Sequence, residues 1–132
     1  KFNNLLPKEN KIYKIETKEA LKNFKNMQKK ANFFLLDRGD LSKDISIEKI
    51  PLAQRFIFKR KNRSSEIFIA TNLLESMITK PYPTRAEAND IYNFLEMGAS
   101  GLVLAAETAI GNYPENCVRF LKKMIKQFRK SL

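Results

Sequence analysis

Histidine is absent from this sequence of 132 residues, and cysteine occurs once, at Cys117. Without histidine there can be no Ser-His-Asp triad, no histidine metal ligand and no histidine proton relay. A single cysteine also excludes an internal disulfide framework. Any chemistry must therefore depend on carboxylates, lysine, arginine and hydroxyl groups.

Long apolar runs are lacking as well, since no run approaches the roughly 18 residues that a membrane-spanning helix requires. Residues 1–7 contain no signal-peptide pattern and no initiator methionine, which is expected of a mature form or of a fragment. The length corresponds to one domain at most, and 43% hydrophobic residues are enough to fill its core. We predict a protein without a membrane span, located in the cytoplasm or, as the alternative, in an organelle matrix.

Acidic residues are in the minority. The sequence has 25 basic and 14 acidic residues, which gives a formal net charge of +11. Residues 119–132 contain six basic residues and no acidic one. Such a segment is either the solvated face of a helix or a surface that binds an anionic partner, for example nucleic acid. The charge by itself leaves both interpretations open.

Four short apolar runs alternate with longer helical patterns. Their near-continuous Ile, Phe, Leu and Val content predicts strands buried on both faces of a parallel sheet. Between them, Thr17 and Thr84 are placed to cap helices, and after the fourth run Pro114 is placed to open one. We therefore predict the α/β class, with four βα units in residues 11–132 after a lead-in segment of residues 1–10. The predicted strands are Lys11–Glu16, Phe33–Asp37, Glu66–Ala70 and Gly101–Ala105.

Four βα units make either a small open sheet or half of a TIM-type (β/α)₈ barrel, because a complete barrel needs about 250 residues. The spacing does not choose between the two. In both architectures, functional residues collect at the carboxyl ends of the strands.

Two carboxylates lie at the ends of neighbouring predicted strands. Glu16 ends the first strand, and Asp40 follows the second. Together they could bind a hard divalent cation, which prefers oxygen ligands. The alternative is that both are ordinary loop carboxylates, since two acids do not define a metal site.

Five strings at and after these strand ends resemble the pyruvate kinase family in their residues, their order and their spacing. The catalytic domain of that family is a (β/α)₈ barrel, and the resemblance identifies this chain with strands five to eight. It thus favours half a barrel over an open sheet. The five strings are Lys11–Glu16, Asp37–Leu41, Ala70–Met77, Lys80–Glu87 and Glu107–Gly111.

The resemblance implies a glycolytic phosphotransferase that moves a phosphoryl group from phosphoenolpyruvate to ADP, giving pyruvate and ATP. It implies that Lys14 stabilises charge on the transferring group and that Glu16 and Asp40 bind Mg²⁺ or Mn²⁺. Thr71 would lie near the substrate carboxylate and on the proton path. Lys14 and Thr71 are thus the expected catalytic residues.

The resemblance also implies a substrate-binding set of Arg38, Gly39, Asp40 and Thr71, in which the amides of Gly39 and Asp40 hold the substrate carboxylate. The family's K⁺ ligands belong to the first half of the barrel and are not encoded in these 132 residues. We therefore expect another protein chain, or another copy of this one, to complete the barrel or to cover its edges.

Several positions depart from the family pattern. Asp37 replaces a small residue, Asn72 replaces glutamine, and Ala105 and Ala106 replace a serine and a glycine. An additional negative charge at Asp37 is expected to strengthen the binding of a cation and to weaken the binding of phosphoenolpyruvate through like-charge repulsion. The alternative function is therefore a degenerate, non-catalytic paralogue, a pseudoenzyme that serves as a basic structural subunit or binding module.

Overall fold

The structure, a computed structural model, describes residues 11–131. The predicted lead-in segment, residues 1–10, lies outside that range. Contacts divide the chain into two compact units, of which the first ends at Ile69 and the second begins at Ala70. The two units are described separately below.

In its described part, from residue 11 onward, the first unit carries three strands and three α-helices. β1 and β2 pair in parallel, with Ile12 opposite Phe33 and Ile15 opposite Leu36. The predicted bounds of β2 and β3 are confirmed, whereas β1 is one residue shorter at each end than predicted. The elements are β1 (Ile12–Ile15), α1 (Lys18–Met27), β2 (Phe33–Asp37), α2 (Arg38–Asp44), a 3₁₀ turn (Ile47–Lys49), α3 (Ile50–Arg60) and β3 (Glu66–Ala70), whose last residue begins the second unit.

The second unit carries one further strand and three further α-helices. The long helix opens at Pro114 as predicted, but the strand is two residues shorter than predicted. The elements are a 3₁₀ turn (Glu75–Ile78), α4 (Arg85–Met97), β4 (Gly101–Val103), α5 (Ala106–Ala109) and α6 (Pro114–Ser131).

The strands form one four-stranded sheet in the order β1-β2-β3-β4. Successive βα units of one hand produce such a sequential order, which is that of a partial (β/α) barrel. The predicted α/β class with four βα units is therefore confirmed. Within residues 11–131, no helix is both long and apolar enough to cross a membrane.

The prediction that the strands are buried on both faces is wrong for β1 and β4, because Ile12 is 63% exposed and Val103 is 37% exposed. In β1, Ile12 and Ile15 point to opposite faces, and Ile15 is fully buried. The buried face is the one that α1 covers. There the Phe24 and Phe34 rings meet edge to face, with centroids 5.0 Å apart.

Both predicted threonine caps are confirmed. The Thr17 hydroxyl accepts a hydrogen bond from the Ala20 amide at 3.0 Å and begins α1. Thr84 begins α4 in a capping box, in which its hydroxyl accepts from the Glu87 amide while the Glu87 carboxylate accepts from the Thr84 amide. Gly98 ends α4 with φ +97°, a left-handed conformation that glycine adopts without steric cost.

Glu87 has a second role beyond the capping box. Its carboxylate also accepts hydrogen bonds from the backbone amide of Ser76, at 2.8 Å, and from the Ser76 hydroxyl. Partial burial opposes ionisation of Glu87, but the hydrogen bonds from Ser76 and Thr84 outweigh it and hold the pKa of this carboxyl below its ordinary value. One carboxylate therefore joins the start of α4 to the 3₁₀ turn at Glu75–Ile78.

We predict that Glu87→Gln destabilises the protein at neutral pH by about 1 kcal/mol, the usual cost of losing a helix cap. Because the folded-state pKa is lowered, the stability due to Glu87 is present above its unfolded value of 4.5 and is lost as the pH falls through the folded value. Urea unfolding of both proteins between pH 3 and pH 7, monitored by circular dichroism, measures this difference.

The matched control is Glu96→Gln, which removes the same charge from an exposed position on α4. It should leave the free energy of unfolding within about 0.5 kcal/mol of the parent at every pH. A Glu87→Gln protein that keeps the parent's pH dependence would contradict the assignment.

Candidate active site

Lys14 is the third residue of β1, and its side chain is on the same face of the strand as that of Ile12. Its register partner on β2 is Leu35. Since Ile15 points to the buried face, the alternation of the strand directs Lys14 away from α1. The side chain is 47% exposed, so its ammonium group can meet both solvent and neighbouring side chains.

Three carboxylates surround the Lys14 ammonium group. Its Nζ lies 2.8 Å from Glu16 Oε2, 3.3 Å from Asp37 Oδ2 and 3.7 Å from Asp40 Oδ2. Hydrogen bonding to Glu16, and then to Asp37, raises the pKa of Lys14 far above its ordinary value. Lys14 is therefore protonated at any physiological pH.

Asp37 is the most buried of the three acids, with 7% of the residue exposed. It is the N-cap of α2, because its Oδ1 accepts a hydrogen bond from the Asp40 amide at 3.2 Å. The family resemblance assigns that same amide to the substrate carboxylate. In this chain, the Asp40 amide already donates a hydrogen bond to the Asp37 carboxylate.

Asp40 lies in the first turn of α2 and is shared between two lysines. Besides Lys14, the Lys43 ammonium donates to Asp40 Oδ1 at 3.3 Å. The hydrogen bond from Lys43 contributes most to lowering the pKa of Asp40 below its ordinary value. Arg38 and Gly39, the other predicted substrate-binding residues of this segment, form the first two positions of the same helix.

The structure brings the two predicted metal ligands together and adds a third acid. One oxygen from each of Glu16, Asp37 and Asp40 lies within 4.8 Å of the others. An all-oxygen donor set fits a hard divalent cation such as Mg²⁺ or Mn²⁺. The sequence analysis expected the charge of Asp37 to act on this site but did not name it among the metal ligands, although its position at the end of β2 was the available signal.

Thr71, the remaining predicted site residue, belongs to the second unit and follows β3 directly. Its φ is +71°, and that of Asn72 is +57°. A positive φ is strained for a β-branched residue, and such strain is concentrated at functional sites. The Thr71 hydroxyl donates to the Ala70 carbonyl at 2.6 Å. Composition and periodicity carried no signal of this strained turn.

Glu107 has a structural role that the sequence did not reveal. Only 1% of Glu107 is exposed. One carboxylate oxygen accepts a hydrogen bond from the Leu74 amide and the other accepts one from the Ala105 amide, each at 2.9 Å. The carboxylate therefore connects the segment after β3 to the start of α5. A buried charged group of this kind is stable only when it is hydrogen-bonded.

Comparison with known proteins points to one family. The family model of the pyruvate kinase barrel domain matches residues 6–118. The pyruvate kinase of Thermotoga maritima is 43% identical over 122 residues, which are 92% of this chain and 26% of that protein. The pyruvate kinase of Methanocaldococcus jannaschii is 44% identical over 116 residues, or 87% of this chain and 26% of that protein.

A third relative, named in Arabidopsis thaliana as a probable cytosolic isozyme of pyruvate kinase, is 41% identical over 120 residues. These residues make up 90% of this chain and 24% of that protein. The chain thus spans about a quarter of the length of the curated relatives that it matches.

We predict that Glu107→Ala destabilises the second unit by about 2–3 kcal/mol, because it leaves two buried amides without their acceptor. Glu107→Gln should cost less, since one side-chain oxygen remains to accept one of the two hydrogen bonds. Denaturant unfolding measures both variants. A Glu107→Ala protein as stable as the parent would contradict this structural role.

Proposed function

Because this chain belongs to the pyruvate kinase family, we propose that it supplies part of a site that transfers a phosphoryl group from phosphoenolpyruvate to ADP. The observation that carries the proposal is the contact of the Lys14 ammonium with Glu16 and Asp40 at the carboxyl ends of β1 and β2. Phosphoryl transfer requires positioning and neutralisation of charge far more than covalent chemistry. A permanently protonated lysine beside a cation-binding pair of acids is suited to both.

In this proposal Lys14 stabilises the negative charge that develops on the transferring phosphoryl group. A fixed positive charge contributes most when it is directed at the place where charge develops. The Lys14 side chain is 47% exposed. It is therefore accessible to a ligand that approaches the carboxyl ends of the strands.

Glu16 and Asp40 would hold Mg²⁺ or Mn²⁺. When bound, the ion neutralises the phosphate oxygens of the substrates. Both carboxylates are partly exposed, with side-chain exposures of 35% for Glu16 and 42% for Asp40. They can therefore turn from the Lys14 ammonium toward a cation without unfolding either strand end.

The family resemblance assigns substrate-binding residues to each of the two units separately. The strained turn at Thr71 holds a hydroxyl close to the end of β3, where the family resemblance assigns it to the substrate carboxylate and the proton path. Arg38, Gly39 and Asp40 stand at the start of α2. The resemblance assigns the amides of Gly39 and Asp40 to the carboxylate of phosphoenolpyruvate, and the Asp40 amide would have to exchange its hydrogen bond to Asp37 for one to the substrate.

The remainder of the site must come from elsewhere in the assembled protein. These 132 residues correspond to about a quarter of the matched relatives, and the K⁺ ligands of the family are assigned to the other half of the barrel. A continuation of the chain, a separate polypeptide or a second copy would complete the barrel. The exposed Ile12 on β1 and Val103 on β4 support such a covering partner. By analogy with the cytosolic relatives, we place the assembly in the cytoplasm.

We predict that the polypeptide of residues 1–132 alone shows no turnover of phosphoenolpyruvate with ADP. In the protein with a complete barrel, Lys14→Met should lower kcat by about 10²–10³-fold, as expected for the loss of one charge-stabilising group. Coupling pyruvate release to lactate dehydrogenase measures turnover.

The control is Lys22→Met, which removes an exposed lysine from α1 and should leave kcat unchanged. Turnover by the 132-residue polypeptide that Lys14→Met abolishes would overturn the requirement for a complete barrel. Absence of turnover in the completed barrel would favour the non-catalytic alternative.

The alternative is a non-catalytic paralogue that acts as a basic structural subunit or binding module. The observation in its favour is the charge distribution of α6. Its apolar face includes the buried Cys117 and Leu121, while its basic side chains recur at helical spacing and are exposed. Such a stripe suits the phosphate backbone of a nucleic acid. The six basic residues are Arg119, Lys122, Lys123, Lys126, Arg129 and Lys130.

If α6 binds nucleic acid, the double variant Lys122→Glu/Lys126→Glu should weaken binding at least about tenfold and reduce its dependence on salt. Fluorescence anisotropy with a labelled RNA oligonucleotide at several salt concentrations measures both effects. The matched control is Lys18→Glu/Lys22→Glu, which changes two exposed lysines of α1 at the same spacing. Equal losses in the two double variants would contradict a specific role for α6.

A further inference from the structure

Asp37 differs from the other two acids around Lys14 in how firmly it is held. One of its oxygens accepts the hydrogen bond from the Asp40 amide, and the other lies 3.3 Å from Lys14 Nζ. Only 11% of its side chain is exposed, compared with 35% for Glu16 and 42% for Asp40. Glu16 and Asp40 can therefore turn toward solvent, whereas Asp37 stays beside the lysine.

Asp37 adds a third carboxylate to the surroundings of Lys14. The other two are Glu16 and Asp40, and Lys43 also donates a hydrogen bond to Asp40. A negative charge at the position of Asp37 favours a divalent cation and disfavours a phosphorylated anion.

Glu16 is nearer to the Lys14 ammonium, at 2.8 Å, but Asp37, at 3.3 Å, is the counter-ion with the least exposed side chain. A phosphate that binds Lys14 must compete with a carboxylate that burial and the α2 cap hold in place. For a cation, the same carboxylate is an additional ligand rather than a competitor. One oxygen of Asp37 lies within 4.8 Å of the candidate ligand oxygens of Glu16 and Asp40.

We propose that Asp37 is a selectivity residue, which raises the affinity of this site for a divalent cation and lowers its affinity for phosphorylated anions. The inference rests on the proposed function, because it takes Lys14, Glu16 and Asp40 as the phosphate-binding and cation-binding groups. It adds an order of events, in which the cation binds first. Glu16, Asp37 and Asp40 would turn their charge toward a cation held between them, and Lys14 would then be available to the phosphate group.

The test replaces the charge of Asp37 while keeping the cap of α2. Asp37→Asn retains a side-chain oxygen that can accept from the Asp40 amide, and Asp37→Ser is a second variant with a good N-cap residue. Mn²⁺ affinity is measured from the electron paramagnetic resonance signal of free Mn²⁺. Phosphoenolpyruvate affinity is measured by calorimetry, with and without Mn²⁺. Neither readout requires turnover.

We expect either variant to weaken Mn²⁺ binding about fivefold to tenfold and, without Mn²⁺, to strengthen phosphoenolpyruvate binding by a similar factor, as removal of one partly screened charge implies. The gain in affinity that Mn²⁺ produces for phosphoenolpyruvate should shrink in both variants. The matched control is Glu66→Gln, which removes an exposed charge at the amino end of β3 and should change none of these values.

Unchanged Mn²⁺ affinity in folded Asp37→Asn and Asp37→Ser would overturn the inference, and so would phosphoenolpyruvate affinity that does not rise. Failure of the proposed function gives a different result, namely a Lys14→Met variant of the completed barrel with undiminished turnover. The two failures are therefore measured on different variants with different readouts.

Discussion

The ion cluster around Lys14 is the interaction on which the proposed function of this chain depends. Its members come from two adjacent strand ends, since Lys14 and Glu16 belong to the β1 end while Asp37 and Asp40 belong to the β2 end. Parallel pairing in register places those ends side by side. One ammonium group is therefore shared by three carboxylates.

Carboxylates serve a different purpose in the second unit. Glu87 and Glu107 accept hydrogen bonds from backbone amides and hold turns to helices. The hydrogen bonds that define these two roles come from amide and hydroxyl groups rather than from lysine. The same residue type therefore stabilises the fold where it accepts hydrogen bonds from amide groups, and it forms an ion cluster where it lies beside an ammonium group at a strand end. Asp37 does both, since it caps α2 and pairs with Lys14.

Much of the fold was predictable because its signals are local. The bounds of β2 and β3 follow from continuous apolar runs between polar residues, and the starts of α1 and α4 follow from Thr17 and Thr84. The error on strand burial has a tertiary cause. The strand sequence shows that Ile12 is apolar, but it does not show whether another element packs against that face of the strand.

The sequence by itself determined the α/β class, the family and the presence of acids at the strand ends, because periodicity, capping and motif spacing are properties of neighbouring residues. Tertiary structure decided how those acids are used. The approach of Asp37 to Lys14 depends on the register between β1 and β2, and the positive φ of Thr71 depends on the turn that follows β3. Both features arise from distances between segments or from local strain, which residue types alone do not encode.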